Sequence, residues 1–355
     1  MAEASYRNSL KPDHRLYWYA IKDMLGQGAS GITYRAYDAN LSRQVAIKEF
    51  LPTGIAVRTA NAAVHAACPS AQESYQDRLA VFIAEARCLA KFNHPAIARI
   101  YSVFEANNTA YRVMHYLEGE TLKQRVERTH ALTEAQLRHV LLPILDGLEL
   151  VHANSFVHRD IKPSNIFIRS DGSPLLLDFG SAKPAAEQGT TLSPAVSLGF
   201  VPFEQYAEAV DCHGPWTDIY SLAASLYWAC TGHPPADALR RNDTIRRGDA
   251  DPLIPLSSVA GAHYSAGFLQ AIDHALAFDR HDRPQNVAAW RAELRAAWAA
   301  ANLDDSDGAA DAFGNARLAH HGQVTNVDWP RGIRGRVCGI PTKFIRDHRL
   351  SNGFG

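Results

Sequence analysis

Residues His158 to Asn165 read His-Arg-Asp-Ile-Lys-Pro-Ser-Asn, and Asp178-Phe179-Gly180 follows after a short apolar run. A base-like aspartate, a lysine and an asparagine thus share one short loop, with a second carboxylate downstream. That arrangement suits holding a metal-bound nucleotide phosphate beside an incoming hydroxyl. A polar surface loop could carry the same residue types by coincidence. Eight positions in register, with related motifs elsewhere in the chain, argue against it.

Upstream, Gly26-Gln27-Gly28-Ala29-Ser30-Gly31 matches G-x-G-x-x-G. Alone the pattern is weak, because a dinucleotide-binding turn or a plain glycine hairpin also carries it. A dinucleotide-binding turn requires a helix starting at the third glycine. Here the β-branched and aromatic Ile32-Thr33-Tyr34 follows, so a second strand is expected. Glycines at a hairpin tip let backbone N–H groups approach phosphates without obstruction. Val45-Ala46-Ile47-Lys48 ends an apolar run on a lysine. In isolation Lys48 reads as an edge charge; after a glycine loop it becomes a candidate phosphate ligand.

The elements that must position these residues fall into two halves. Residues 16–50 alternate like strands with glycine-rich punctuation. Residues 51–74 form an unusual stretch suited to an extra hairpin or loop. Asp77 to Lys91 has helical spacing, with Val81, Ala84, Cys88 and Phe92 on one side, and residues 97–117 return to strand-like runs. Beyond Glu118-Gly119 the pattern turns helical. Thr133 and Gln136 form a capping-box signal before a stripe of Leu137, Val140, Leu141, Ile144, Leu145 and Leu148. Pro143 inside that stripe is expected to kink it. Asp218–Cys230 and Gln285–Ala299 are further helices. After about Asn302 the composition shifts to Asp, Gly and Ala, then to a basic tail without periodicity, expected to be flexible.

With 355 residues the chain can bury a substantial core, and its net charge of −1 argues against a generic nucleic-acid binder. Its five cysteines are scattered without a C-x-x-C pair, which fits free thiols in a reducing compartment. No signal peptide or membrane span is visible, so a cytoplasmic location is expected.

Taken together, the motifs resemble the eukaryotic-like (Hanks-type) protein serine/threonine kinases found in bacteria. The resemblance covers about residues 16–300. It implies an α+β, bilobal protein-kinase fold: an N-terminal lead-in (1–15), a small β-rich N-lobe (16–117, with an insertion at about 51–74), a larger, mainly helical C-lobe (118–300) and a C-terminal tail (301–355). ATP with Mg²⁺, or Mn²⁺ in its place, is the implied cofactor set. Asp160 is then the base, Lys162 supplies charge near the γ-phosphate, and Asn165 and Asp178 bind the metal. His158 orients the loop rather than transferring a proton. Nucleotide contacts are implied for Leu25, Gly26, Gln27, Gly28, Ala29, Ser30, Gly31, Thr33, Ala46 and Lys48, and for the hinge Met114, His115, Tyr116 and Leu117. Thr33 stands where the family has Val, and His115 replaces the usual Glu. Glu85 is the helix residue implied to orient Lys48, with Glu73 as its rival.

The resemblance also pairs Glu204, at the end of the activation segment, with Arg283, and makes Asp218 a support of the catalytic loop. Leu89, Ile100, His158 and Phe179 correspond to an apolar stack linking the lobes. Arg159 would receive a phosphate placed on Thr190, Thr191, Ser193 or Ser197. Lys162 favours Ser/Thr over Tyr as acceptor. Protein substrates, with self-association for autophosphorylation, are the implied partners. A pseudokinase scaffold is the alternative, though the Lys, Asp and Asn such proteins usually lose are all present. A small-molecule phosphotransferase is a weaker one, disfavoured by the long segment ending at Glu204.

Overall fold

Apolar–polar alternation between tight turns makes the first part of the chain a meander of strands in the computed structural model, which describes residues 8–179, 183–184, 198–206, 212–261 and 263–301. The chain divides into a unit Met1–Ala316 and a second unit Arg317–Gly355, which lies wholly outside the described residues. The strands are β1 (Arg15–Leu16), β2 (Tyr19–Gly28), β3 (Gly31–Asp38), β4 (Arg43–Phe50), β5 (Ala56–Arg58), β6 (Val64–Ala66), β7 (Ile100–Ala106) and β8 (Thr109–His115). Six of them form an antiparallel sheet ordered β1-β2-β3-β4-β8-β7.

Register decides what this sheet presents. Residues directly opposed on antiparallel strands share a face. Lys48 lies between Thr33 on β3 and Arg112 on β8, and Ala46 lies between Arg35 and Met114. Helix α1 (Gln72–Leu89) packs over this face. It begins earlier than the spacing suggests, and its buried side is Tyr75, Leu79, Phe82, Glu85, Ala86 and Leu89. Val81 and Ala84, expected inside, are exposed instead. A helix with few strong apolar residues leaves its rotation to the surface it meets, and here the sheet chose a different stripe.

The opposite face carries Tyr34, Ile47, Glu49, Tyr111 and Val113. The 51–74 stretch forms the β5–β6 hairpin and covers part of this side. Its Arg58 reaches the fully buried Glu49 carboxylate, which also accepts hydrogen bonds from Tyr34 Oη at 2.9 Å and Tyr111 Oη at 2.6 Å. The lead-in expected over residues 1–15 is partly a packed cover. Leu10 is buried and its N–H donates to Tyr34 Oη, while Asp13 N–H donates to the Ile21 carbonyl.

The second half follows with β9 (Gly119–Thr121), α2 (Leu122–Thr129), α3 (Glu134–Ala153), β10 (Phe156–Val157), β11 (Ile166–Arg169), β12 (Pro174–Leu176), α4 (Pro215–Thr231), α5 (Ala238–Arg246), α6 (Leu256–Val259), α7 (Ala266–Ala275) and α8 (Val287–Ala300). Both α2 and α3 start on reciprocal capping boxes, Thr121 with Gln124 and Thr133 with Gln136. Helix α3 continues through Pro143 without ending there. Its completely buried residues on both sides of the proline hold the helix together, so tertiary packing outweighs the lost hydrogen bond. Trp290 of α8 is buried and donates Nε1–H to the Ala271 carbonyl at 2.9 Å. Among the described residues no helix is long and apolar enough to cross a membrane.

One apolar core fills the helical lobe and reaches Ala86, Leu89 and Ile100 of the smaller lobe; a second fills the strand-rich lobe. The structure is thus an α+β, two-lobed fold with a curled sheet above a helical body.

Candidate active site

The β2–β3 hairpin turns through Ala29 and Ser30, with Gly28 paired to Gly31. Leu51 N–H donates to the Ser30 carbonyl and Thr53 N–H to the Ala29 carbonyl, at 3.1 and 3.0 Å. The glycine loop is therefore tied to the chain just beyond β4. Gly31 sits at φ 154°, and a Cβ there would lie 1.8 Å from the Glu49 carbonyl oxygen. Around Gly26 and Gly28, by contrast, a Cβ would meet nothing within 4 Å. Leu25 falls at a register shift between Met24 and Gly26 and is left exposed next to the loop.

Beneath the loop, Lys48 is nearly buried and forms an ion pair with Asp178 Oδ2. Burial alone would push the Asp178 carboxyl up; the charge and hydrogen bond of Lys48, with Arg112 and Lys162 farther off, bring it down to about 2. Asp178 adopts φ 50° at the end of an otherwise extended stretch. Its second oxygen, Oδ1, is buried and has no hydrogen-bond partner.

Glu85 departs from expectation. The resemblance pairs it with Lys48, whereas its carboxylate accepts from Arg112 Nη1 at 3.1 Å. Arg112 also donates to the Phe82 carbonyl at 3.3 Å and lies over the Phe82 ring at 4.6 Å. Burial pushes the Glu85 carboxyl up to about 7 against the pull of Arg112, with Asp178 adding to the rise and Lys48 opposing it. Its rival Glu73 is exposed in the first turn of α1. The physical reason for the exchange is register: Lys48 and Arg112 are cross-strand neighbours, and either can face the same carboxylate.

The catalytic-loop residues converge. Lys162 Nζ donates to Asp160 Oδ1 and Oδ2 at 2.7 and 2.9 Å. Asn165 Nδ2–H donates to the Asp160 carbonyl at 2.8 Å and to Oδ2 at 2.9 Å. The loop is anchored from below by Asp218 on α4. Its carboxylate accepts from the backbone N–H groups of His158 and Arg159 at 2.8 and 2.9 Å, and its Oδ2 lies 2.8 Å from His152 Nε2. Burial opposes ionisation of Asp218, but His152, His158 and the Arg159 N–H hold its carboxyl below the ordinary range.

His158 is wholly buried. Its Nδ1 accepts from Asp160 N–H, so Nε2–H donates to the Leu177 carbonyl, each at 3.2 Å. Burial drives its pKa down, consistent with a neutral, orienting ring. The ring packs 4.2 Å from that of Phe179. Leu89, Ile100 and Phe179 belong to the same apolar core.

Glu204 and Arg283 meet in a bidentate pair at 2.7 and 3.2 Å. Thr217 Oγ1 donates to Glu204 at 3.2 Å, and Arg283 lies over the Tyr220 ring. Arg159 is buried at φ 65°, and its carbonyl accepts from Gln205 Nε2 at 2.9 Å. Thr190, Thr191, Ser193 and Ser197 lie outside the described residues. At the hinge, Met114, Tyr116 and Leu117 are half-buried and His115 is exposed. His115 donates its N–H to the Arg99 carbonyl at 3.0 Å.

The donor set fits a hard divalent cation. Asp178 Oδ1 is a buried, unpartnered oxygen, and Asn165 turns its amide N–H away toward Asp160, the arrangement of a side chain whose oxygen is spare for a metal. Among the described residues no group of three or more His, Cys, Asp or Glu gathers to bind a metal. A cation here would complete its shell with water and substrate oxygens, as Mg²⁺ does.

Reading the sequence for motifs misses Arg112, Gln205 and the Glu49–Arg58 pair. Arg112 had a visible signal, a charge inside the apolar strand Tyr111–Met114, since an interior charge demands a partner. Gln205 and Arg58 had none.

A curled sheet with an open glycine hairpin, set above a helical lobe that carries Asp160, Asn165 and Asp178 at one cleft, defines the class of two-lobed phosphotransferase domains. The protein kinase domain model matches residues 19–293, and the chain belongs to that family. It is 30% identical over 293 residues to the serine/threonine-protein kinase PknB of Mycobacterium tuberculosis, covering 80% of this chain and 43% of PknB. It is 29% identical to PknL of Mycobacterium bovis, covering 83% of this chain and 69% of that protein. The chain thus spans less than half the length of PknB. A solved structure of PpkA-294 in its apo form superposes with a TM-score of 0.72 at 36% identity, covering 81% of this chain and 99% of that one.

Proposed function

We propose that this chain is a protein serine/threonine kinase that transfers the γ-phosphate of ATP, with Mg²⁺ or Mn²⁺, to hydroxyls of protein substrates. The observation that carries this reading is the cleft in which Asp160, Lys162 and Asn165 are bonded to one another within reach of the Lys48–Asp178 pair. Asn165 and Asp178 would hold the metal, which when bound offsets charge on the β- and γ-phosphates. Lys48 exchanges Asp178 for the α- and β-phosphates. Gly26 and Gly28, with open space where a Cβ would stand, would let the phosphates approach the loop, and Met114 to Leu117 would receive the adenine with Ala46, Thr33 and Leu25 around it.

Asp160 takes or orients the proton of the incoming hydroxyl, and Lys162 stabilises charge on the transferring group. The protein supplies position and electrostatics rather than a covalent intermediate. Autophosphorylation within 190–197, in trans between two copies, would place a phosphate toward Arg159 and regulate the domain. An ATP-dependent reaction implies the ATP-containing cytoplasm as its compartment.

Incorporation of labelled γ-phosphate into the chain itself and into myelin basic protein tests this reading. Asp160→Asn is expected to lower incorporation by about 10²- to 10⁴-fold, and Lys48→Met by roughly 10²-fold or more. Equal incorporation by wild type and Asp160→Asn would sink it.

A further inference from the structure

Two cations and two carboxylates share the cleft wall, and their pairing is crossed. Lys48 pairs with Asp178 and Arg112 with Glu85. Lys48 and Arg112 sit directly opposite each other on β4 and β8, so both side chains leave the same face toward α1. Arg112 is 1% exposed and Glu85 7% exposed, so each is closed off from water and depends on protein partners. Nucleotide and metal binding at this site would take Asp178 from Lys48. Lys48 then needs Glu85, the carboxylate that Arg112 holds.

We propose that Arg112 is a positioning residue that competes with Lys48 for Glu85 and thereby sets the affinity of the site for metal-bound ATP; this rests on the kinase reading above. In the nucleotide-free arrangement Arg112 keeps Glu85 on its side of the cleft. Binding requires the carboxylate to swing to the neighbouring strand, leaving Arg112 with the Phe82 carbonyl and the Phe82 ring. Apparent affinity is reduced by the fraction of molecules in which Glu85 faces Lys48. Arg112 therefore acts through Glu85 and Lys48 without touching substrate.

The direction of the effect separates this role from simple electrostatics. Removing a positive charge from a site for a polyanion weakens binding if the charge acts only by its field. Removing a competitor for Glu85 strengthens it. The full chain carrying Arg112→Met, Arg112→Gln or Arg112→Lys would be titrated with Mg²⁺ and a non-hydrolysable ATP analogue by calorimetry. Both neutral variants are expected to bind on the order of fivefold more tightly, with KM for ATP falling in step. Arg112→Lys, which keeps a competing charge, should stay near wild type.

Arg112→Gln retains a donor for the Phe82 carbonyl, so the comparison survives if Arg112→Met fails to fold. In a Glu85→Gln background the tightening should vanish. Unchanged or weaker binding by the neutral variants, or tightening that persists without Glu85, overturns the proposal. Absent phosphotransfer in wild type with the binding pattern intact would instead overturn the kinase reading alone.

Discussion

At the scale of single residues, the chemistry of the site depends on which carboxylates keep their protons and which cations they meet. Asp178 is held ionised by Lys48, while Glu85 is pushed toward neutrality by burial. The Glu85 shift has a measurable consequence. Its folded pKa of about 7 lies above the ordinary 4.5, so the folded chain binds this proton more tightly than the unfolded chain. The stability this contributes is complete below 4.5 and is lost as pH rises to about 7. Wild type should therefore lose about 2–3 kcal/mol from this group across that window. Glu85→Gln should flatten that part of the profile, as read from urea midpoints at pH 5 and 7.5. A slope identical in both proteins would assign the effect to another group. Asp160, Lys162 and Asn165 were legible in the sequence because their contacts lie within one short loop. The partner of Glu85 was not, since it depends on α1 rotation and on the β4–β8 register.

At the scale of elements, the glycine hairpin borders the Lys48 side of the sheet and the 51–74 hairpin covers part of its back. Gly31 backs onto the Glu49 carbonyl, whereas Gly28 faces open space. Gly31→Ala is thus expected to lower both the melting temperature and ATP affinity. Gly28→Ala should leave the melting temperature within about 2 °C, as surface changes do, and weaken ATP binding only. Thermal unfolding with and without Mg²⁺-ATP distinguishes the two. The 51–74 hairpin, readable only as an unusual insertion, closes the back of the sheet through Arg58 and Glu49. Removing one member of a buried pair leaves an uncompensated charge, so Arg58→Met should destabilise the chain by about 3–5 kcal/mol. Glu49→Gln with Arg58→Met should recover part of that loss. Equilibrium denaturation of the three proteins checks both statements.

At the scale of the whole described unit, the Asp160 loop belongs to the helical lobe and Lys48 to the sheet. Asp218 is the link between the C-lobe core and the chemistry, because it holds two successive backbone N–H groups of the loop. Asp218→Asn can keep one acceptor oxygen but loses the charge that both N–H groups and His152 share. A displacement of the loop by a fraction of an ångström should cost roughly 10- to 100-fold in kcat, with KM for ATP nearly unchanged because Lys48 and the glycine loop are elsewhere. A matching loss of nucleotide affinity, measured by calorimetry, would contradict this division. The apolar core that reaches Leu89 and Ile100 of the smaller lobe and contains Phe179 is what lets the two halves act at one cleft.

By itself the sequence determined the family, the two-lobed class and the grouping of Asp160, Lys162 and Asn165 in one short loop, because those signals are local: motif spacing, strand and helix periodicity, and the capping box at Thr133. It also predicted the Glu204–Arg283 contact through resemblance. Only the tertiary structure decided how the four charges of the cleft are shared, that Glu85 meets Arg112, and that the 51–74 hairpin is built around a buried carboxylate. These outcomes follow from strand register and helix rotation. A buried charge takes whichever opposite charge the packing brings within reach, and sequence separation does not report that distance.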